Sequence, residues 1–261
     1  TYQGSAPDAQ LILAKVLSNN TRTVRDSDLL AALDDVMVIK PDTVCVAFMA
    51  NRDLDSDASA LYDDVFARLS SAGITVDAPA GGSGRAEWRT SVRDLGTVGA
   101  PAAYSSVLAV AAVGGSALQG TDGLKPWSSS SWGPGPDMSL KPEIAAPGGN
   151  VNAAIPGKDY RRMPGTGEAS AQVAGVAALV RQRMATDPMF AGMSDEDKSA
   201  LVSNFLMGTA HPIVDPSAAD GTFWSPRWVG AGMVDALAAT TSSVYPSVVG
   251  ASDPSRPKAE L

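Results

Sequence analysis

Four short apolar runs, spaced by stretches of helical periodicity, restrict this chain more than any other feature. Leu11-Ile12-Leu13-Ala14-Lys15-Val16-Leu17 reads as one buried strand, and Thr43-Val44-Cys45-Val46-Ala47-Phe48-Met49 as a second. Ile74-Thr75-Val76 begins a third, and Val107-Leu108-Ala109-Val110-Ala111-Ala112-Val113 forms a fourth. Unbroken rather than alternating apolar character belongs to strands covered on both faces, as in parallel sheets. Between the first two runs, Asp26-Ser27-Asp28 is expected to cap a helix whose Leu29, Leu30 and Leu33 share a face. Between the next two, Leu61, Val65 and Leu69 mark an amphipathic helix that Gly73 ends. This β-α-β-α-β order predicts an α/β fold built on a parallel sheet.

The segments 81–101 and 114–149 are rich in Gly, Pro and Ser and are expected to be mostly loops. Two more helices follow them. The first, over about 166–184, opens with small residues (Ala169, Ala174, Gly175, Ala177, Ala178) that suit a helix lying deep in a core. The second starts at Ser194, with Asp197 placed as in a capping box, and carries Leu201, Val202, Phe205 and Leu206. Residues 1–245 are expected to form the domain, and 246–261, with Asp253-Pro254-Ser255-Arg256-Pro257-Lys258, a linker towards a further domain.

At 261 residues the chain is long enough to bury a substantial core. Its net charge of −8 supplies no basic field for nucleic acid or an anionic membrane surface. No apolar stretch reaches the roughly 18 residues of a membrane span, and none opens the chain as a signal peptide would. A single cysteine, Cys45, permits no internal disulfide and is expected to be a small buried hydrophobe.

Several segments resemble the subtilase family of serine peptidases, and within it the cell-envelope proteinases and complement-cleaving peptidases of Gram-positive bacteria. Residues 4–11, Gly-Ser-Ala-Pro-Asp-Ala-Gln-Leu, are similar to the family segment that follows the histidine-bearing helix. Residues 140–151, from Leu140-Lys141-Pro142-Glu143 to Gly149-Asn150-Val151, resemble the stretch leading to the nucleophile. Gly165-Thr166-Gly167-Glu168-Ala169-Ser170 continues as the nucleophile motif does, through Gln172 to Gly175. Ser225-Pro226-Arg227 and Gly230-Ala231-Gly232-Met233-Val234-Asp235 resemble the end of the catalytic domain. The resemblance implies a subtilisin-like parallel sheet flanked by helices, lacking the N-terminal part of the catalytic domain. It also implies a secreted or cell-wall-associated protein whose partners are proteins or peptides. The missing N-terminal segment of the same domain is a further expected partner. No cofactor is expected; calcium follows from the family alone, since no loop gathers enough carboxylates to assign a site.

The departures from the family pattern bear on chemistry. Gly167 stands where the family has its nucleophilic serine, and Gly82, closing Ala80-Gly81-Gly82, stands where it has the oxyanion asparagine. Loss of one oxyanion donor costs a factor of about 10² to 10³ in rate, and loss of a nucleophile about 10⁶. The resemblance therefore implies a domain with no intact catalytic residue. Its substrate edges correspond to Ala47, Phe48 and Met49 on one side and Ala80 and Gly81 on the other, with Met49 crowding the pocket where the family has glycine. Two alternatives stay open: a fragment of an active endopeptidase, and a non-catalytic architectural module of a surface protein.

Other residues invite plainer readings. His211, the only histidine, lies in Gly208-Thr209-Ala210-His211-Pro212 with no hydroxyl beside it in sequence, and is expected to be structural or solvent-facing. Ser170 lies nearly a full turn beyond Gly167 and suits packing. Glu168 suits the positive end of the helix dipole. Asp77 is a polar residue at an otherwise apolar strand position. Phe223-Trp224-Ser225-Pro226-Arg227-Trp228 is expected to pack a loop onto the domain, with Arg227 over an indole, while Trp127 and Trp132 serve as scaffold. The pairs Asp34/Asp35 and Asp63/Asp64 read as solvated helix faces.

Overall fold

The α/β order expected from the apolar runs is realised as a mostly parallel sheet with helices on both sides. The computed structural model describes residues 3–20, 23–48, 57–84, 96–114, 123–157, 159–218 and 221–246. The main sheet holds β1 (Thr43–Cys45), β2 (Thr75–Pro79), β3 (Leu108–Gly114), β4 (Lys125–Pro126) and β5 (Ile144–Pro147). β1, β2, β3 and β5 run parallel in that spatial order, and β4 pairs antiparallel with the end of β3. A separate antiparallel hairpin joins β6 (Val151–Ile155) to β7 (Asp159–Met163). The helices are α1 (Asp26–Ile39), α2 (Asp57–Ser71), α3 (Thr166–Thr186), α4 (Asp195–Gly208), α5 (Pro226–Val229) and α6 (Ala236–Thr241).

β3 shows why an unbroken apolar run was needed. All seven of its residues are buried. Leu108, Val110 and Ala112 point to a core shared with Ala169, Val173, Val176 and Val180 of α3 and with Val202, Phe205 and Leu206 of α4. Ala109 faces the opposite core, with Leu29 and Leu33 of α1 and Phe66 and Leu69 of α2. Ala111 and Val113 close a third cluster with Ile213 and Val229. Strand alternation thus supplies two apolar faces from one sequence run. The alanines of β3 and α3 let the 21-residue α3 lie close against the sheet.

Helix ends follow their sequence signals unevenly. Gly73 ends α2 as expected: its φ of 82° lets its N–H and that of Ile74 reach the carbonyls of Ser70 and Leu69, at 2.9 and 3.0 Å. The Ser194 hydroxyl accepts from the N–H of Asp197 at 3.1 Å and starts α4. α1 departs from expectation, because Arg25 is its N-cap and no side chain caps it. Asp26 and Asp28 instead lie in its first turn, where they favour the positive end of the dipole.

The expected strand at 11–17 does not form. Leu11 and Leu13 are each 86% exposed, and only Leu17 makes a β-bridge, to Val24. A strand needs a neighbour for its backbone groups, and no described strand runs beside this segment. The expected run to Met49 also ends early. β1 stops at Cys45, and Met49 lies outside the described residues, as do 247–261 of the expected linker.

Beneath the sheet, Lys141 is fully buried and donates to the carbonyls of Tyr104 and Val107, at 3.0 and 2.7 Å, and to Glu143 Oε1 at 2.7 Å. Glu143 Oε2 accepts from the N–H of Ala109 at 2.7 Å. Both charges are neutralised where they sit, which is the condition for burying them. Arg227 lies over the Trp132 ring at 5.0 Å, and Trp132 stacks on Trp228 at 5.2 Å. The aromatic loop therefore packs onto the domain, as its sequence suggests.

Candidate functional site

In open α/β sheets ligands gather outside the carboxyl ends of the strands. Ala80-Gly81-Gly82 leaves the carboxyl end of β2 there, and the N-terminus of α3 comes to meet it. The link is direct: the N–H of Gly81 donates to Thr166 Oγ1 at 3.2 Å. Thr166 immediately precedes Gly167, so the two glycines singled out by the resemblance belong to adjoining pieces of backbone. A side-chain atom added at either Gly82 or Gly167 meets nothing within 4 Å. Neither position demands glycine for want of space.

The loop after β2 is held by the Ser128–Ser131 turn. Ser131 donates its N–H to the carbonyl of Gly81 at 2.9 Å, and its hydroxyl accepts from Ser83 at 3.0 Å. Gly84 donates to the carbonyl of Ser129 at 3.1 Å. Ser130 ties the turn back to β3 by accepting from the N–H of Ala112 at 3.1 Å. This turn, which lies between the scaffold residues Trp127 and Trp132, fixes the position of Gly82.

The substrate-edge residues implied by the resemblance fall into two groups. Ala80 and Gly81 have their main-chain groups occupied: Ala80 donates to Val110 and accepts from Gly99, and Gly81 is engaged by Thr166 and Ser131. They offer no free edge. Phe48 packs against the core of α1 and α2, beside a cavity with Leu29, Tyr62 and Tyr104. Ala47 alone of the described set is exposed, next to β1, whose outer edge has no partner among the described strands.

One turn below Gly167 is a buried polar trio that periodicity did not reveal. Ser170 Oγ donates to Asp77 Oδ2 at 2.5 Å, and Cys45 Sγ lies 3.3 Å from the same hydroxyl. Cys45 and Asp77 are register partners on β1 and β2. Burial raises the Asp77 carboxyl from 3.8 to about 7, partly opposed by Ser170 and Cys45. The Cys45 thiol is pushed up as well, first by burial and then by the neighbouring Asp77, which makes it a poor nucleophile. Asp77 Oδ1 has no hydrogen-bond partner among the described residues. Cys45 is half-buried rather than simply apolar, and Ser170 does more than pack. The polar Asp77 within an apolar run was the only sequence signal of this trio.

The remaining candidates lie apart or act on the backbone. Gln172 Nε2 donates to the carbonyls of Pro147 and Glu168, at 2.5 and 3.1 Å, tying α3 to the end of β5. Glu168 lies in the first turn of α3, its carboxylate folded back over Gly165. His211 is exposed and pairs through Nε2 with Asp235 Oδ2 at 2.6 Å. Asp235 also caps α6 by accepting from Ala238, and that bond is the main reason its carboxyl is lowered. Asp34, Asp35, Asp63 and Asp64 are solvent-facing, and no group of three metal-ligating side chains occurs among the described residues.

A parallel sheet, a buried central helix entering it by a tight Gly-Thr turn, and a strand-end loop locked to that turn define an α/β domain with its candidate site at the strand ends. The chain belongs to the subtilase family, whose model matches residues 2–238. It is 32% identical to the C5a peptidase of Streptococcus pyogenes over 116 residues, 44% of this chain and 10% of that protein. It is 39% identical to the PII-type proteinase of Lacticaseibacillus paracasei over 115 residues, 42% of this chain and 6% of that protein. The matched segment is thus a tenth or less of each relative's length. Among solved structures, the patellamide maturation protease PatA aligns with a TM-score of 0.67 at 21% identity, over 91% of this chain and 76% of that one. The prenylagaramide maturation protease PagA aligns with a TM-score of 0.63 at 22% identity, over 86% and 70%. Both establish the subtilisin-like fold. No described helix is long and apolar enough to cross a membrane.

Proposed function

We propose that this chain is a degenerate subtilase domain that holds extended polypeptide without hydrolysing it, on a secreted or cell-wall-associated protein. The observation that carries the reading is Gly167, at the mouth of α3 with open space before it. Acyl transfer needs an attacking oxygen at that helix end, and a glycine has none. Gly82 adds a second deficit, because no side-chain amide is there to meet an oxyanion. The only histidine, His211, is engaged by Asp235 and has no hydroxyl partner among the described residues. What remains is the exposed Ala47 beside β1, whose outer edge has no partner among the described strands. Exposed Leu11, Ile12 and Leu13 support further polypeptide of the same domain as a second partner.

The test uses the full chain with a serine-directed phosphonate and a set of extended fluorogenic peptides. No serine should be labelled and no peptide cleaved, while anisotropy should report bound peptide. Turnover or a labelled serine removes the non-catalytic half of the reading. Absence of binding by every peptide removes the other half and favours an architectural module. Gly167→Ser should melt within about 1 kcal/mol of the parent, since its side chain enters open space, and should still resist the phosphonate.

A further inference from the structure

The hairpin of β6 and β7 stands apart in its charge. The chain carries a net −8, yet residues 151–163 hold Lys158, Arg161 and Arg162 against one carboxylate, Asp159. All five residues of β7 are exposed. Asp159 forms no ion pair with either arginine among the described residues; its Oδ1 accepts from the N–H of Tyr160 at 2.8 Å. Neither Arg161 nor Arg162 has an ion-pair or hydrogen-bonding partner among the described residues. Their cross-strand neighbours are short: Ala153 opposite Arg161 and Asn152 opposite Arg162. Among the described residues of the hairpin, none forms a hydrogen bond or ion pair with either guanidinium group.

The hairpin also presents a free strand edge close to the candidate site. It pairs with no other strand among those described. Its two ends are pinched together where Gly165 donates to the carbonyl of Gly148 at 2.8 Å, and Gly165 leads straight to Thr166 and Gly167. An open edge offers main-chain hydrogen bonds to an added strand, while side chains alternating across it confer selectivity. Along β7, Arg162 and Tyr160 fall on one face and Arg161 and Met163 on the other. A strand laid beside β7 would therefore meet one cation on each face.

We propose that the β6–β7 hairpin docks an extended polypeptide segment rich in aspartate and glutamate, with Arg161 and Arg162 as its charge readers. This deepens the peptide-holding reading above and rests on it. Arginine suits the task because its planar fork takes a carboxylate through two hydrogen bonds. Steering by a local basic arm on an acidic body also orients the incoming chain towards the hairpin rather than the rest of the surface.

Anisotropy with two labelled dodecapeptides, one alternating Glu with Val and one alternating Gln with Val, tests it on the full chain and on Arg161→Glu/Arg162→Glu. The parent should bind the Glu peptide about threefold to tenfold more tightly than the Gln peptide, the range for two exposed ion pairs. Charge reversal should abolish that preference and leave Gln-peptide affinity unchanged. Equal binding of both peptides by the parent overturns the docking proposal and spares the peptide-holding reading; no binding of either sinks both. Equally tight binding of a single-stranded oligonucleotide, lost on the same reversal, would assign the arm to phosphate instead. Should the variant fail to melt like the parent, a salt titration of the parent decides. The Glu preference should fade between about 0.05 and 0.5 M salt as screening shortens the field, and a salt-independent preference would refute the arginines as readers.

Discussion

Asp77 is the residue whose chemistry most affects the chain that carries it. Its carboxyl is 1% exposed, one oxygen is taken by Ser170 and the other has no partner among the described residues. The folded carboxyl titrates at about 7 against 3.8 when free, so burial favours the proton. Below about pH 4 folded and unfolded chains both hold that proton. Between about 4 and 7 only the folded chain does, and stability from this group falls as pH rises through that window. The difference is on the order of 4 kcal/mol. Asp77→Asn should therefore gain stability at pH 8 and lose the corresponding slope in a urea-midpoint profile; an unchanged slope would show that Asp77 ionises without cost. Lys141 presents the opposite case, a buried charge with every bond made. Lys141→Met strands Glu143 and should cost about 3–5 kcal/mol in urea unfolding, with much of the loss recovered by adding Glu143→Gln. The sequence exposed Asp77 as an oddity because polar residues break apolar strands. It did not expose Ser170 as its partner, 93 positions away, since no local rule reaches across a fold.

At the scale of elements, legibility followed how many signals agreed. α2 and α4 each combined apolar spacing with an end signal, α3 was read from its run of small residues, and each formed close to where it was expected. α4 is the clearest, because Ser194 and Asp197 satisfy one another: the hydroxyl accepts the Asp197 N–H and donates to its carboxylate at 2.7 Å. Ser194→Ala should lower stability by about 1 kcal/mol, read from thermal or urea midpoints, and Ser194→Asp should largely restore it. A variant with the parent's midpoint would mean that the three acidic residues of the first turn hold the helix end unaided. β6 and β7 carried no readable signal. β7 is exposed along its whole length, and β6 only half-buries alternate residues, so neither strand was required to carry a strong apolar pattern. The geometry around Gly167 was legible only through the family resemblance. The hydrogen bond from Gly81 to Thr166, which joins the two glycine positions, depends on tertiary packing that spacing cannot encode.

Across the whole molecule, the segment at Leu11–Leu17 shows where apolar sequence and burial part company. Its composition asks for a core, and the outer edge of β1 has no partner among the described strands. Leu11 and Leu13, each 86% exposed, and Ile12 at 54%, form an apolar stretch that water disfavours. Two such features on one chain drive association unless other polypeptide covers them. The purified chain should therefore self-associate as its concentration rises and bind a hydrophobic dye. Leu11→Ser/Leu13→Ser should shift sedimentation towards monomer and reduce dye binding, while leaving the melting midpoint within about 1 kcal/mol, because these side chains are not in the described core. Salt separates this contact from the one proposed at the hairpin. Apolar association persists or strengthens at high ionic strength, whereas arginine–carboxylate docking weakens. A chain that stays monomeric and dye-free at high concentration would mean that 11–17 folds onto the sheet in solution, and that the first apolar run finds the burial its sequence predicts.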